Sequence, residues 1–345
     1  PRPAGPGSAV PAPSRLRPDR FPERARAARD KVLLRMGQLA ILSDRQVAEA
    51  RQEPLPTQQR LLPFLTPHLS ERLRAAQPTT VIHRTFIERG LQQTLKTLAR
   101  QHQSVLELNS SLAILVVANR DRRVLAYVGA SDFRDPRRAG QVDLVRAIRS
   151  PGSTLKPLIY GLGFDDLLLH PETLIEDVPT RFGDYSPTNF RNAYAGQLTV
   201  REALQQSLNI PAVAILEQVG PARVAARLRE VGLPLHWSKA HPQPGLPLAL
   251  GGVGMTLEDL VTLYAGFANG GLIAPLRFGP ADPAGPGQRL LTETACWYLG
   301  EILRNAPVPQ NAVGPASVAR PRVIAHKTGI FYGFRDVWAL GYDAD

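Results

Sequence analysis

The sequence predicts an α+β domain with an antiparallel sheet flanked by helices, preceded by a short helical appendage. Three patterns carry that expectation. Leu112–Ala118 is an unbroken apolar run, and Val124–Val128 resumes after the polar turn Asn119-Arg120-Asp121-Arg122-Arg123. Two β-rich runs around a short turn read as an antiparallel hairpin, the first as a central strand. From Val142 to about Leu303 the signals are mostly helical, broken by Pro and Gly loops. Val323-Ile324-Ala325 and Val337-Trp338-Ala339-Leu340 are strand-like again, with Tyr332-Gly333 punctuating the turn between them. Strands that open and close the domain around a helical middle imply a sheet built from both ends of the chain.

Upstream elements follow from local signals. Residues 1–22 hold seven Pro and several Arg, and are expected to be extended or irregular. From Pro22, with Pro in a first turn, Ala25, Ala28, Val32, Leu33 and Met36 recur three or four residues apart and predict a helix. Ser43-Asp44-Arg45-Gln46 reads as a capping box opening a short helix that Pro54-Leu55-Pro56 ends. A further amphipathic stretch runs from about Phe86 to Leu98.

Composition narrows the function. The 345 residues suit two average domains or one large domain with an appendage, and 43% hydrophobic residues suffice for a real core. No run of about 18 apolar residues exists to span a bilayer. The net charge is +11, of which +6 falls in residues 1–36, where nine Lys/Arg face three Asp/Glu. Such a segment suits an anionic membrane surface or polymer. No zinc-finger spacing, RNP pattern or phosphate loop accompanies it, so nucleic acid is not an expected partner. One cysteine, Cys296, rules out an internal disulfide framework and reads as a small apolar helix residue. The seven His show no metal-binding spacing.

Three short motifs can carry chemistry. Ser153-Thr154-Leu155-Lys156 follows Gly152 and precedes Pro157, which puts Ser153 near a helix start with Lys156 on the same face. A serine hydroxyl needs a base to become a nucleophile, and a lysine serves only when burial or a neighbouring cation leaves it uncharged. Ser-x-x-Lys is also common by chance. Ser207-Leu208-Asn209 lies between a helix capped by Thr199-Val200-Arg201-Glu202 and another opened by Asn209-Ile210-Pro211. Its hydroxyl and carboxamide suit proton relay and substrate orientation, although Asn209 alone also reads as a helix cap. Lys327-Thr328-Gly329 ends the Val323–Ala325 strand. It offers charge, a hydroxyl and a position without a side chain where a substrate backbone meets an edge strand, or simply a strand end before a turn.

In that order and at those spacings, the three motifs resemble the transpeptidase domain of class A penicillin-binding proteins. Further stretches look alike: Arg149-Ser150-Pro151 before the serine, Asp184-Tyr185-Ser186-Pro187-Thr188-Asn189-Phe190, Leu250-Gly251-Gly252, and Tyr264-Ala265-Gly266-Phe267-Ala268-Asn269. Phe331-Tyr332-Gly333-Phe334-Arg335-Asp336-Val337-Trp338 is similar to the 1C type. Residues 12–50 resemble the last helices of a family 51 glycosyltransferase domain, whose catalytic glutamates and membrane helix would precede Pro1. The implied division is 1–70 as a glycosyltransferase remnant without that activity, 71–105 as a linker region, and 106–345 as a serine β-lactamase/penicillin-binding transpeptidase fold.

The resemblance implies a D,D-transpeptidase that cross-links peptidoglycan stem peptides through a serine ester and is acylated by β-lactams, with no metal or cofactor. Ser153 is the implied nucleophile and Lys156 its base. Ser207 with Lys327 would return a proton to the leaving D-alanine. Asn209, Thr328, Gly329 and Ile330 would bind substrate, with the N–H groups of Ser153 and Ile330 as the oxyanion hole. Implied surroundings are the periplasmic face of the bacterial inner membrane, an anchor upstream of Pro1, and other cell-wall synthesis proteins.

Two departures qualify the likeness. Ile330 stands where the family has Thr or Ser, which removes a hydroxyl for the substrate carboxylate, a bond worth roughly 1.5–3 kcal/mol. The chain also stops after the penultimate strand, so a C-terminally incomplete fold, weakly stable or inactive alone, is expected. It would leave Leu112–Ala118 unpaired on one side. The alternative functions are a D,D-carboxypeptidase or a non-catalytic, degenerate penicillin-binding scaffold.

Overall fold

The computed structural model describes residues 15–56, 64–107, 109–190, 192–239, 242–307, 322–331 and 335–343. Residues 1–14 and the Tyr332-Gly333 turn lie outside them. The chain forms two compact units, Pro1–Phe64 and Leu65–Asp345.

In the first unit, α1 spans Pro22–Gln38 and α2 spans Asp44–Gln52. Pro sits in the first turn of α1, where its missing N–H costs nothing. The expected capping box forms at α2: Ser43 accepts from the Gln46 backbone, and Gln46 reaches back to the Ser43 N–H.

The second unit opens with α3 (Pro67–Ala76) and α4 (Arg89–Gln103). The helix expected from Phe86 starts later, because Phe86 and Glu88 first run extended, donating backbone N–H bonds to Phe278 and Leu125. The stretch read as a linker packs into this unit. Gln92 on α4 is buried and donates to the Tyr127 carbonyl at 3.0 Å while accepting from the Tyr127 N–H at 2.8 Å.

The expected hairpin is β1 (Ile114–Val117) against β2 (Val124–Val128), antiparallel with a register shift at Val116/Val117. The helical middle runs α5 (Lys156–Asp165), β3 (Leu174–Asp177), β4 (Gly196–Thr199), α6 (Val200–Gln205), α7 (Asn209–Val219), α8 (Pro221–Glu230) and α9 (Leu257–Ala268). Then come the short pair β5 (Leu272–Ile273) and β6 (Gln288–Arg289), α10 (Glu293–Arg304), and the terminal pair β7 (Ala325–Ile330) and β8 (Val337–Tyr342). Buried Cys296 sits on α10, where desolvation pushes its thiol up to about 12.

Helix α5 is the axis of the unit. Residues Lys156 to Phe164 are all buried, which suits a helix apolar around its circumference and enclosed on all sides. It packs on α7 and α10. The architecture is the mixed helix-and-sheet arrangement the sequence implies. The strands differ from one continuous sheet: among the described residues they form four separate antiparallel pairs, and no ladder bonds join β1 to β8. Between those two strands runs an apolar groove of about 800 Å³, and Asn119 Nδ2 reaches the Asp343 carbonyl at one end.

Candidate active site

Three pieces of backbone meet at the buried start of α5. The first is the 3-10 turn Gly152–Leu155 that leads into α5, the second the bend between α6 and α7, and the third β7. The turn requires glycine. Gly152 has φ +52°, and a Cβ there would lie 2.8 Å from the Ile330 carbonyl oxygen. Ser153, one residue on, is half-buried, and neither its hydroxyl nor its N–H has a hydrogen-bond partner among the described residues. Tyr264 on α9 donates to the Thr154 carbonyl at 2.9 Å, Ser150 to the Gly251 carbonyl at 2.6 Å, and Trp338 on β8 to the Ser150 carbonyl at 2.7 Å. These bonds pin the serine turn from three sides.

Lys156 is completely buried. Its Nζ donates to the Ser207 carbonyl at 2.7 Å, the Leu208 carbonyl at 3.0 Å and Asn209 Oδ1 at 2.8 Å. Desolvation, then the Lys327 charge, holds its proton affinity well below the usual lysine range, while Asp177 pulls the other way. Three acceptors suit an ammonium, whereas burial beside a second cation suits the amine. The amine keeps two of those bonds and frees a lone pair, the form a base requires.

Lys327 reaches the same bend from β7. Its Nζ donates to Ser207 Oγ at 2.7 Å and to the Thr328 carbonyl at 2.8 Å, and burial draws its pKa to about 8. Ser207 thus serves both lysines, its carbonyl facing Lys156 and its hydroxyl facing Lys327. It does so from φ +59°, a left-handed conformation costing a serine roughly 1–2 kcal/mol. Two lysine contacts at one residue offset that strain.

Asn209 opens α7, as its place before Pro211 suggests. Its Oδ1 accepts from Lys156, and its Nδ2 donates to the Thr188 carbonyl at 2.7 Å. The carboxamide expected to orient substrate is therefore engaged by the protein at both ends.

The Lys-Thr-Gly motif lies inside β7 rather than beyond its end. Strand alternation buries Lys327 and Gly329 and exposes Thr328 and Ile330. Packing gives Gly329 a further reason to be small. A Cβ there would stand 2.7 Å from Thr154 Cγ2 and 2.8 Å from the Pro151 carbonyl oxygen, so glycine lets β7 close on the serine turn. Phe331 donates its N–H to the Asp336 carbonyl, and alternation along the ladder then turns the Ile330 N–H away from β8. The Ile330 peptide abuts Gly152 on that side.

The structure thus brings Lys156, Ser207, Asn209 and Lys327 into one bonded cluster, with Ser153 in the turn that leads into Lys156, and turns the Thr328 and Ile330 side chains to the face of β7 opposite Lys327. Motif spacing did not single out the buried Asp177 and Asn189 behind Asn209. Asn189 lies in a stretch that resembles the family, but nothing in its pattern shows chemistry. Among the described residues, no three His, Cys, Asp or Glu side chains gather as a metal site.

A serine at a helix start, two buried lysines and a second serine between them define a class, the active-site-serine acyl-transfer domains. The penicillin binding protein transpeptidase domain model matches residues 112–335, and the chain belongs to that family. Penicillin-binding protein 1C of Escherichia coli is 45% identical over 337 residues, 96% of this chain. The chain spans 42% of that relative's length. In three dimensions it is similar to penicillin-binding protein 1A from Haemophilus influenzae, with TM-score 0.71, 15% identity and coverage of 96% of this chain and 72% of that one. It is also similar to PonA1 from Mycobacterium tuberculosis in complex with penicillin V, with TM-score 0.63, 17% identity and coverage of 81% and 80%. No helix among the described residues is long and apolar enough to cross a membrane.

Proposed function

We propose that this chain is the acyl-transfer unit of a peptidoglycan D,D-transpeptidase, with Ser153 as nucleophile and β-lactams as covalent inhibitors. One observation carries the reading. Lys156 and Lys327, from motifs far apart in sequence, both bond to Ser207, and Lys156 follows by three residues Ser153, whose hydroxyl has no hydrogen-bond partner among the described residues. Two buried lysines at one serine are costly unless one is uncharged, and an uncharged lysine is what an adjacent nucleophile requires.

The reaction proceeds as follows. Lys156, as the amine, takes the Ser153 proton while Oγ attacks the carbonyl carbon of the D-Ala–D-Ala bond. Charge on the carbonyl oxygen is met by the N–H groups of Ser153 and Ile330, both left without ladder or helix partners. The C–N bond breaks as Ser207 Oγ, bonded to Lys327, passes a proton to the leaving D-alanine, and the proton taken up by Lys156 replaces it, restoring the amine and the hydroxyl. The resulting ester on Ser153 is attacked by the amine of a second stem peptide, forming the cross-link and returning the hydroxyl proton. A β-lactam opens its ring on Ser153 by the first half of this path and stays attached.

The structural relatives support the penicillin-binding part of this reading, PonA1 having been seen in complex with penicillin V. We place the protein at the periplasmic face of the inner membrane, with other cell-wall synthesis proteins as partners. Residues 1–70 are proposed as glycosyltransferase-derived, 71–105 as the connecting region and 106–345 as the transpeptidase unit.

Intact-mass spectrometry after incubation with benzylpenicillin tests the nucleophile. One adduct is expected on the protein and none on Ser153→Ala; an undiminished adduct on the variant refutes the assignment. Incubation with stem peptides separates cross-linked dimer from D-alanine released to water, the carboxypeptidase outcome.

A further inference from the structure

Behind the lysine cluster lies a buried carboxylate that the reaction above does not use. Asp177 ends β3, is completely buried and forms no ion pair among the described residues. Its oxygens accept from Asn189 Nδ2 at 2.8 and 2.9 Å, and Oδ2 also accepts from the Ala195 N–H at 2.8 Å. Asn189 Nδ2 also donates to the Ala193 carbonyl, so this contact closes the loop between β3 and β4. Asn189 turns its other end to the site, where Oδ1 accepts the N–H of Asn209 at 2.8 Å. Asn209 Oδ1 in turn accepts from Lys156. A continuous path of bonds runs from Asp177 through Asn189 and Asn209 to the amine of Lys156.

We infer that Asp177 and Asn189 are positioning residues for acylation. Asn189 fixes the start of α7, and with it Asn209 and the Ser207 bend. Asp177 anchors Asn189 and supplies the buried negative charge that offsets burial at Lys156. An unpaired carboxylate in a dry interior is costly unless a nearby cation and hydrogen bonds compensate it, and Lys156 is the cation that feels it. The charged groups acting on Lys156 are Lys327 from β7 and Asp177 from β3. Tyr160, one turn along α5, is buried beside Asp177 without a hydrogen-bond partner, and burial holds it in the phenol form. The inference rests on the assignment of Ser153 and Lys156 under the proposed function.

The sign of the effect separates anchoring from scaffolding. Removing the Asp177 charge while keeping its shape weakens the hold of Lys156 on its proton. The acid limb of the acylation profile then moves to lower pH, by about half a unit or more for an interior charge. A purely structural role lowers the rate by one factor at every pH. Asn189→Ala cuts the tether to Asn209 but leaves the carboxylate. Its plateau rate is expected to drop about 10²-fold, the scale for a displacement of about 1 Å, with a smaller move of the limb.

The experiment is the pH dependence of the second-order acylation rate with a fluorescent penicillin, for the protein, Asp177→Asn and Asn189→Ala. Ser153→Ala is the blank, and thermal unfolding accompanies each variant. An acid shift of the limb in Asp177→Asn, with the plateau loss in Asn189→Ala, supports the inference. An unmoved limb in Asp177→Asn, or an undiminished plateau in Asn189→Ala, overturns it. Should Asp177→Asn fail to fold, Asp177→Glu replaces it: a retained charge that keeps the wild-type limb supports the role, and a limb moved to lower pH overturns it. Failure of the underlying reading is distinct, because the unmodified protein would then form no adduct at Ser153.

Discussion

Substituting Gly329 tests whether β7 closes on the serine turn. A Cβ built there sits 2.7 Å from Thr154 Cγ2, 2.8 Å from the Pro151 carbonyl oxygen and 3.1 Å from the Thr154 nitrogen. Two of these are backbone atoms of the turn carrying Ser153, so they cannot swing aside as a side-chain tip does. Relief requires β7 and the turn to separate by about 0.6 Å, and overpacking of this kind costs about 1–3 kcal/mol. Gly329→Ala is therefore expected to lower the thermal midpoint by a few degrees. Because the turn also holds Ser153, penicillin acylation should slow about tenfold, in proportion to the roughly 100-fold scale of a 1 Å misplacement. Differential scanning fluorimetry and timed labelling with a fluorescent penicillin read the two effects. Gly90→Ala, where a Cβ meets nothing within 4 Å in the first turn of α4, serves as the neutral control. Slower acylation with an unchanged midpoint refutes the packing argument and returns Gly329 to a substrate-clearance role.

Acylation is expected to follow a bell-shaped pH profile whose limbs belong to the coupled lysine pair. The acid limb marks protonation of Lys156, and the alkaline limb falls near 8 as Lys327 loses its charge; a flat profile between pH 6 and 10 sinks both roles. The same shift has a stability sign: folded Lys327 holds its proton more weakly than its ordinary 10.5, so the fold gains stability as pH rises from about 8 to 10.5. Urea midpoints across that range should increase, less steeply in Lys327→Met. Ile330 is exposed on β7 with its side chain on the face opposite Lys327, so Ile330→Thr should fold normally and acylate within a few-fold of the unchanged protein; a gain of about one to two decades would show that the residue-330 side chain does meet the substrate carboxylate. Buried Cys296, its thiol pushed up to about 12, should resist maleimide at pH 7.5 until urea unfolds the protein, as read by intact mass.

Local physics explains what the sequence determined. Capping boxes at Ser43 and Thr199 satisfy orphan helix N–H groups from four residues alone, and both form as written. The polar turn after Leu112–Ala118 fixed a hairpin, and the three motifs fixed the family through order and spacing. Tertiary structure decided the rest because those facts concern neighbours far apart along the chain. The role of Gly329 depends on Pro151 and Thr154, about 175 positions earlier, which only the fold brings near. Ser207 takes φ +59° because lysines from two other elements grip it, an energy invisible to local propensity. Asp177 matters through a path of bonds crossing β3, a loop and α7. A spacing rule can name a serine and a lysine, but a proton moves according to burial and charge, and those belong to the assembled interior.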